Sequence, residues 1–363
     1  MENANFKGQK GIQAMNYTRS KLRGIDPKRL NFAFFNLQFE MKDGFPATHS
    51  WTVPSLAKPI RMDAFVRRCL PHLSMKEIQR AICEGAFWVN RRVGKKGDRL
   101  FAGDLLALRG FQHLLAPHPL PAWDLKVPVL YEDDNVLVLD KPAGMAVHGF
   151  SGRATKTLAN FLAAARPSLS AVGKSRWEPG LVHRLDRDTS GLILAAKDQD
   201  SFENLRIQVR SGSVKKKYWA LVHGRAKNEG EIHFPLIHDP GDRRKMKAII
   251  EEAGGRERPG RKQWEATTRF RCLGSQQGFS LLEIEMETGV THQIRAHMEA
   301  IGHPLVGDPV YGRDRPDPFE LGRQFLHAFY LGFHHPKTGE PVTIESPLPG
   351  ELREVLDRLD ISL

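Results

Sequence analysis

The chain has 363 residues, of which 40% are hydrophobic and 26% charged, a balance typical of globular proteins. No apolar run approaches the roughly 20 residues that a membrane-spanning helix needs, and the polar, basic N-terminus lacks the apolar core of an export signal. We therefore expect a cytoplasmic protein without membrane partners. Three widely spaced cysteines, Cys69, Cys83 and Cys272, argue against a disulfide framework or a zinc cluster and fit a reducing compartment.

The net charge of +12 is distributed unevenly along the chain. Residues 1–110 contain 20 lysines and arginines against nine acidic residues, whereas residues 111–363 contain 34 against 33. A basic segment of this kind is typical of proteins that bind a polyanion, and nucleic acid is the partner that it favours. A membrane surface is less favoured because no strongly amphipathic basic helix accompanies the charge. A basic face that is merely solvated is the remaining alternative.

The first 110 residues divide into two parts by composition. In residues 1–58 apolar residues seldom recur at the spacing of a helix or a strand, so this segment is expected to form a flexible extension. Residues 59–110 predict a small α+β domain with a helix over 62–70 and a second helix that Ser74 and Glu77 open as a capping box. Short strands are predicted at residues 87–89 and 105–108.

This small domain resembles the RNA-binding domain named after the fourth protein of the small ribosomal subunit. The resemblance rests on Arg61-x-Asp63, Ser74, Ile78-Gln79, Gly85, Val89-Asn90 and Gly103-Asp104, with Arg91 at a position where that family usually has glycine. An unrelated small α+β domain is the alternative. Eight basic residues are predicted to contact RNA: Arg61, Arg67, Arg68, Arg80, Arg91, Arg92, Lys95 and Lys96.

The remainder of the chain is predicted to be a Pro-rich linker over residues 111–126 and a larger α+β domain over residues 127–363. Residues 129–139 have the pattern of a hairpin, and residues 157–165 that of a helix that ends before Pro167. Further strands are predicted at 191–196, 218–223, 264–271, 279–287 and 329–334, and helices at 199–210 and 291–301. The predicted fold class is α+β, with a mixed, mainly antiparallel sheet.

Nine residues, His183-Arg184-Leu185-Asp186-Arg187-Asp188-Thr189-Ser190-Gly191, seven of them polar or charged, lie between two apolar runs that have the pattern of buried strands. Packed sheets place such a cluster in a loop, and loops on rigid scaffolds often carry function. A polar turn with no function is the alternative, because Asp, Ser and Gly are common turn residues.

This stretch resembles the signature of the RluA-type pseudouridine synthases, and four further segments match that family in the same order. They are 140–144 (Asp-Lys-Pro-Ala-Gly), 217–222 (Lys-Tyr-Trp-Ala-Leu-Val), 288–308 (from Thr-Gly-Val-Thr-His-Gln-Ile-Arg to Val-Gly-Asp) and 326–336 (Leu-His-Ala to His-Pro). The resemblance covers about residues 60–350 and implies a pseudouridine synthase fold. It also implies the isomerisation of uridine in RNA to pseudouridine.

The resemblance further implies that Asp186 is the catalytic carboxylate, with Arg295 beside it and Tyr218 stacked on the target uracil. A carboxylate can attack or stabilise an electron-poor sugar carbon, or it can remove a sugar proton to give a glycal. The sequence does not choose between these two routes. The structural alternatives are a surface arginine for Arg295 and a core tyrosine for Tyr218. Asp188, a competing carboxylate, is expected to cap the turn.

Four more residues are predicted to bind the substrate: His183, Arg184, Leu185 and Leu326. Leu326 resembles the family's apolar floor beneath the base, Arg184 fills the gap left by an extruded uridine, and His183 supports the loop by hydrogen bonding. Val290 stands where the family commonly has arginine, which puts the usual substrate in doubt.

The sequence thus predicts a monomeric RNA-modifying enzyme that needs no cofactor and no metal. Ribosomal RNA is the expected substrate, and transfer RNA is the second candidate. The alternative function is that of an inactive RNA-binding or ribosome-assembly factor on the same fold, and a nucleoside glycosidase is a third hypothesis.

Overall fold

The computed structural model describes residues 49–55, 58–71, 73–115, 119–149, 154–175, 177–242, 244–250 and 262–363. Most of the predicted N-terminal extension, residues 1–48, lies outside this part of the chain. Within the described residues, the helices are all too short or too polar to cross a membrane.

The first elements surround a small apolar core of their own. In chain order they are β1 (His49–Thr52), β2 (Ile60–Arg61), α1 (Met62–Cys69), α2 (Met75–Cys83), β3 (Phe87–Val89), β4 (Arg92–Val93), β5 (Arg99–Leu100) and β6 (Leu105–Leu108). Strands β1, β6, β3 and β4 form one sheet in that order, and β2 pairs with β5. Phe65 and Val66 of α1 and Ile78 and Ile82 of α2 are buried against Phe87 of β3.

The start of α2 confirms the predicted capping box. The Ser74 hydroxyl accepts a hydrogen bond from the Glu77 backbone N–H at 3.3 Å, and the Glu77 carboxylate accepts one from the Ser74 N–H at 2.7 Å. Two N–H groups that the helix cannot pair internally are thereby satisfied.

The strand β1 corrects the predicted limit of the flexible extension. His49 to Thr52 pair with Leu108 to Leu105 of β6, so the sheet begins ten residues before the predicted boundary. The segment reads as unstructured because it is short and half polar. Its hydrogen-bond partner is more than 50 residues away, and no local pattern could identify that partner.

The rest of the chain forms a second, larger α+β arrangement. Its elements are β7 (Val129–Glu132), β8 (Val136–Lys141), α3 (Leu158–Ala165), β9 (Ser190–Ala196), α4 (Gln199–Arg210), β10 (Lys215–His223), β11 (Glu229–Ile232), β12 (Leu236–His238), β13 (Met246–Ala248), β14 (Thr268–Gln276), β15 (Phe279–Met286), α5 (Gln293–Ala300), β16 (Leu326–His334), β17 (Pro341–Glu345) and α6 (Gly350–Leu359). The preceding segment, residues 111–126, is the predicted linker. Its second half is bound to this region, because the Asn160 side chain of α3 donates a hydrogen bond to the Leu120 carbonyl at 2.7 Å.

One nine-stranded sheet organises this region. The strands follow the order β11-β14-β15-β10-β16-β9-β8-β7, and β17 pairs with β16. All of these pairings are antiparallel except that between β9 and β16, which is parallel. The predicted mixed, mainly antiparallel sheet is therefore confirmed. Strand β16 is central: β10 lies along one side, while β9 and then β17 share the other.

Several details of the prediction were wrong or missing. The strand predicted at 264–271 begins at Thr268, because Trp264 instead bridges to Leu236 of β12. Strands β11, β12, β13 and β17 were not predicted, and neither was α6. Helix α6 has Leu352, Val355, Leu356 and Leu359 on one buried face, a spacing that the sequence does contain.

Candidate active site

A cavity of about 260 Å³ opens at the centre of the large sheet. It is lined by all seven residues for which catalytic or substrate-binding roles were predicted: His183, Arg184, Leu185, Asp186, Tyr218, Arg295 and Leu326. These residues come from four separate parts of the chain. The structure therefore brings together side chains that the sequence separates by up to 143 positions.

The parallel contact between β9 and β16 positions the polar loop 183–189 beside the cavity. Ser190 and Gly191, at the start of β9, lie opposite His327 and Ala328, at the start of β16. Gly191 has φ of 115°, and a Cβ atom there would lie 2.2 Å from the Ala328 carbonyl oxygen. Only glycine permits this approach, so the loop that precedes it ends close to Leu326.

Asp186 is held by a buried arginine. The Nη1 atom of Arg295 donates to Oδ2 of Asp186 at 3.1 Å, and the side chain of Asp186 is 16% exposed. The other two nitrogens of Arg295, Nε and Nη2, donate to the two carboxylate oxygens of Asp308 at 2.7 and 2.8 Å. Since the bidentate contact to Asp308 fixes the guanidinium plane, Arg295 presents Nη1 to Asp186 in one orientation.

The charges in this group stabilise one another. Burial alone would lower the pKa of Arg295, but the carboxylates of Asp308 and Asp186 raise that pKa above its usual value. Burial would likewise raise the pKa of Asp308, but Arg295 and the backbone N–H groups of Tyr311 and Val310 lower it. Arg295 and Asp308 are thus both ionised at neutral pH.

A glutamine fixes the turn that leads into α5. Gln293 is buried, and its Oε1 accepts hydrogen bonds from the Thr288 hydroxyl at 2.8 Å and the Val290 N–H at 3.1 Å. Its Nε2 donates to the Thr267 carbonyl at 2.9 Å and to the Thr268 hydroxyl at 3.1 Å. The turn that carries Val290 to the cavity wall is therefore rigid, although the side chain of Val290 offers only apolar contact.

Tyr218 and Leu326 form the buried wall of the cavity. Tyr218 of β10 pairs with Ala328 of β16, and both Tyr218 and Leu326 are almost inaccessible to solvent. Burial, with the nearby charge of Asp186, raises the pKa of the Tyr218 phenol well above its usual value. Tyr218 is therefore a neutral phenol at any physiological pH, with a flat ring beside the carboxylate.

The residues before Asp186 have different surroundings. His183 accepts a hydrogen bond at Nε2 from the Leu194 N–H at 3.0 Å, and burial lowers its pKa to about 3. It is thus a neutral acceptor that ties the loop to β9. Leu185 is buried beneath the loop, whereas Arg184 is exposed at the mouth of the cavity.

Lys141 supports the same loop from below. Its ammonium group is fully buried and donates to the carbonyls of Pro142 at 2.8 Å, Met145 at 2.8 Å and Arg187 at 2.9 Å. These three acceptors match the three N–H bonds of an ammonium. Lys141 therefore fastens the segment 140–145 to the loop that carries Asp186.

The residues at the site that the sequence does not predict include Asp308, His292, Lys216 and Lys141. Asp308, His292 and Lys141 lie inside segments whose resemblance was noted, but the local pattern gives no sign of their partners. Lys216 is buried and lines the cavity two residues before Tyr218. The two-residue period of a strand places both side chains on one face, so this signal was available.

All eight basic residues predicted to contact RNA are exposed in the part of the chain around α1, α2 and β4. Three of them are in ion pairs: Arg61 with Asp63, Arg80 with Glu84 and Arg92 with Asp98. Arg67 donates to the Leu73 carbonyl. Among the described residues, no group of three His, Cys, Asp or Glu side chains is arranged to hold a metal ion.

Comparison with known proteins assigns this arrangement to one group. A family described as RNA pseudouridylate synthase matches residues 135–300. An RNA pseudouridine synthase of Synechocystis, itself uncharacterised, is 36% identical over 82% of this chain and 88% of the relative. The ribosomal large subunit pseudouridine synthase D of Neisseria meningitidis is 36% identical over 85% of this chain and 81% of the relative. Among solved structures, the human protein RNA pseudouridylate synthase domain containing 4 is 26% identical, with a TM-score of 0.53 over 65% of this chain and 94% of that protein.

Proposed function

The chain belongs to the RNA pseudouridine synthase family, and on that basis we propose that it isomerises specific uridines of large-subunit ribosomal RNA with Asp186 as the catalytic carboxylate. The enzyme class follows from the family. The substrate is supported by the relatives named for the large ribosomal subunit, which match this chain over 85% of its length.

One observation supports the role of Asp186 most directly. Its carboxylate lies in the wall of the cavity, and a buried arginine holds its Oδ2 at 3.1 Å. Arg295 is itself fixed by Asp308, so the carboxylate is oriented before substrate arrives. An inactive RNA-binding protein has no need for such a group, and this argues against the alternative function.

The reaction is a rearrangement that consumes nothing. The bond between N1 of uracil and C1′ of ribose breaks, C5 of the base bonds to C1′, and the proton lost from C5 is balanced by one gained at N1. Asp186 serves either by attacking C1′ or by removing a sugar proton to give a glycal. Both routes need a carboxylate in a fixed orientation, which the hydrogen bond from the guanidinium of Arg295 provides.

The cavity walls account for how the detached base is retained. The ring of Tyr218 stacks on the uracil and Leu326 lies beneath it, so the base turns in place instead of leaving. Arg184, exposed at the mouth, takes the space that the extruded uridine vacates in the RNA stack. His183 supports the loop through Leu194 and takes no part in proton transfer.

We further propose that the N-terminal α+β elements are an RNA-binding domain of the small-subunit type described above. It spans residues 59–110, extended back to β1, and residues 111–126 connect it to a catalytic domain over residues 127–363. Exposed basic side chains on α1, α2 and the segment 91–96 support this role. We expect the enzyme to act as a monomer.

The substrate is tested by mapping pseudouridines in total RNA from cells that have the gene, lack it, or carry it again on a plasmid. We expect one or more sites in large-subunit ribosomal RNA to disappear in the deletion strain and return with the plasmid. Loss of sites only in transfer RNA would contradict the proposed substrate. An unchanged map would contradict the proposed function.

The role of the basic residues is tested by the salt dependence of RNA affinity. Arg91 and Lys96 are exposed and make no ion pair in the described structure, so each is free to neutralise a phosphate. The variant Arg91→Gln/Lys96→Gln should lower the slope of log K against log salt concentration by about 0.7–0.9 per lost phosphate contact. Filter binding of RNA at salt concentrations from about 50 to about 300 mM measures this slope.

The matched control removes two charges that are already paired. Arg80 and Arg92 have the acidic partners Glu84 and Asp98, so Arg80→Gln/Arg92→Gln should change the slope less than the first variant does. Equal slopes for the first variant and the wild type would show that this segment is not where the RNA backbone is held.

A further inference from the structure

His292 lies at the edge of the cavity in an unusual backbone conformation. It precedes the first residue of α5 with φ of 54°, in the left-handed region that few residues other than glycine adopt. Residues held there cluster at functional sites, where the surrounding structure compensates the strain. The conformation turns the imidazole ring into the cavity beside Asp186.

The two ring nitrogens of His292 face different partners. Nδ1 lies 3.1 Å from the hydroxyl oxygen of Tyr311, within hydrogen-bond distance. Nε2 lies 3.9 Å from Oδ2 of Asp186, which is beyond hydrogen-bond distance but close enough for a strong electrostatic interaction. Which nitrogen carries the proton therefore decides whether a positive or a negative end of the ring faces the carboxylate.

The Tyr311 hydroxyl is held in place by the hairpin of β12 and β13. The Met246 N–H donates to it at 2.7 Å, and the Met246 carbonyl lies 3.2 Å away. The Tyr311 ring is buried and packs against the guanidinium of Arg295, whose central carbon lies 5.0 Å from the ring centre. Its backbone N–H also donates to Asp308 at 3.0 Å.

These contacts allow two proton arrangements, and the negative charge of Asp186 favours one of them. The hydroxyl has a single proton, which it gives either to the Met246 carbonyl or to Nδ1 of His292. If Nδ1 carried the proton, the bare lone pair of Nε2 would face the negative charge of Asp186. If Nε2 carries it, the hydroxyl proton goes to Nδ1 at 3.1 Å instead of to the Met246 carbonyl at 3.2 Å, and N–H faces the carboxylate.

We propose that Tyr311 holds His292 in the Nε2–H tautomer, so that His292 and Arg295 together engage Oδ2 of Asp186 and leave Oδ1 to meet the ribose. His292 and Tyr311 are thereby positioning residues. Among the described residues, Oδ1 of Asp186 has no hydrogen-bond partner, as a reacting oxygen requires.

The charges around His292 fit a neutral ring. Asp186 and Asp308 face it with negative charge, Arg295 and Arg184 with positive charge, and Tyr311 with a neutral hydroxyl. Because the charges of opposite sign offset each other, burial dominates and lowers the pKa of His292. The ring is then neutral at physiological pH, and its tautomer, not its charge, orients Asp186.

The proposal is tested directly by the nitrogen chemical shifts of His292 in the full-length protein labelled with 15N in its 15 histidines. The signal is identified by its absence from the His292→Asn variant. If that variant does not fold, the absence of the signal from His292→Gln identifies it. We expect protonated Nε2 and bare Nδ1 at pH 7, and a mixture of tautomers in Tyr311→Phe. Protonated Nδ1, or an imidazolium, in the wild type overturns the proposal, and so does an unchanged tautomer in Tyr311→Phe.

Kinetics provide a second test. The amide nitrogen of Gln lies where Nε2 of histidine lies, whereas that of Asn lies where Nδ1 does. His292→Gln should therefore keep kcat within a few-fold of the wild type, while His292→Asn should lose about 10- to 100-fold in kcat with little change in KM. Asn adopts the left-handed conformation readily, so backbone strain does not explain its loss. Equal losses, or a more active Asn variant, contradict the proposal.

This inference rests on the proposed role of Asp186, but the two fail separately. The nitrogen shifts report the tautomer without any turnover. If the tautomer is as proposed and Asp186→Asn remains active, the function of the carboxylate is at fault. If Asp186→Asn is inactive and His292 is not in the Nε2–H tautomer, the inference fails but the proposed function stands.

Discussion

Asp186→Asn is expected to lower kcat for pseudouridine formation on the order of 1,000-fold or more while RNA binding persists. The amide keeps the shape of the carboxylate but can neither attack C1′ nor accept a sugar proton. Arg295 retains Asp308 as its partner, so the fold loses little. The reaction expels the hydrogen on C5 of uracil, so tritium release from RNA labelled at that carbon measures turnover.

Asp188→Asn is the matched control, because Asp188 lies two residues further along the same loop. In the described structure only its backbone carbonyl accepts a hydrogen bond, from Arg323 at 3.1 Å, and its carboxylate accepts none. The predicted cap of the turn by this carboxylate is therefore absent, and the Asp186 carbonyl accepts from the Thr189 N–H instead. Asp188→Asn should stay within a few-fold of the wild type. Normal tritium release by Asp186→Asn, or equal inactivity of the two variants, would refute the assignment.

Arg295→Met is expected to destabilise the protein as well as inactivate it. The variant leaves the carboxylate of Asp308, whose side chain is 0% exposed, without its cation. Removing one partner of a buried ion pair costs about 3–5 kcal/mol because the other charge stays buried and uncompensated. Urea unfolding at pH 7, followed by tryptophan fluorescence, measures this loss in the free energy of unfolding.

The contribution of the Asp308 carboxylate to stability should depend on pH with opposite signs in the wild type and in Arg295→Met. In the wild type the pKa of Asp308 is lowered, so its contribution is present above the unfolded-state pKa and is lost as pH falls. In Arg295→Met only the backbone N–H groups of Tyr311 and Val310 still oppose burial, which is the largest influence on this group, so we expect that pKa to rise above the unfolded-state value. The folded state then binds the proton more tightly than the unfolded chain, so stability falls as pH rises through the raised value.

A second substitution separates stability from catalysis. Arg295→Met/Asp308→Leu replaces the buried pair by apolar side chains of similar size, which is often neutral for stability. We expect the double variant to recover most of the lost free energy of unfolding and to remain inactive, since Asp186 still lacks its partner. Recovery of turnover would mean that Arg295 does not orient Asp186.

Local sequence patterns identified much of the fold. The capping box at Ser74 and the helix Gln199–Arg210 are where the sequence placed them, because side-chain spacing and capping residues act over three or four positions. The loop 183–189 is also recognisable locally, since its charges interrupt two apolar runs. The sequence thus located the residue that we propose as catalytic.

Features that depend on distant partners were not recognisable. Strand β1 pairs with β6, and β12 pairs with both β13 and Trp264. Both strands are too short for their own alternation of polar and apolar residues to identify them. The link from Asp308 to Arg295 spans 13 positions, and that from Tyr311 to His292 spans 19. These contacts form only when a turn and a hairpin pack around α5, which no local pattern encodes.

The contact between β9 and β16 also constrains when the enzyme becomes competent during its synthesis. Ser190 and His327 are adjacent in space but 137 positions apart, and their side chains share a hydrogen bond of 3.0 Å. The ribosome adds about 5–20 residues per second, so roughly 7 to 27 seconds pass between the translation of Ser190 and that of His327. The contact between β9 and β16 cannot form before then. During that interval the nascent chain contains its N-terminal basic elements but still lacks Leu326, which we propose lies beneath the base. With the N-terminal elements as the proposed RNA-binding domain, the growing polypeptide would bind RNA before it could modify it.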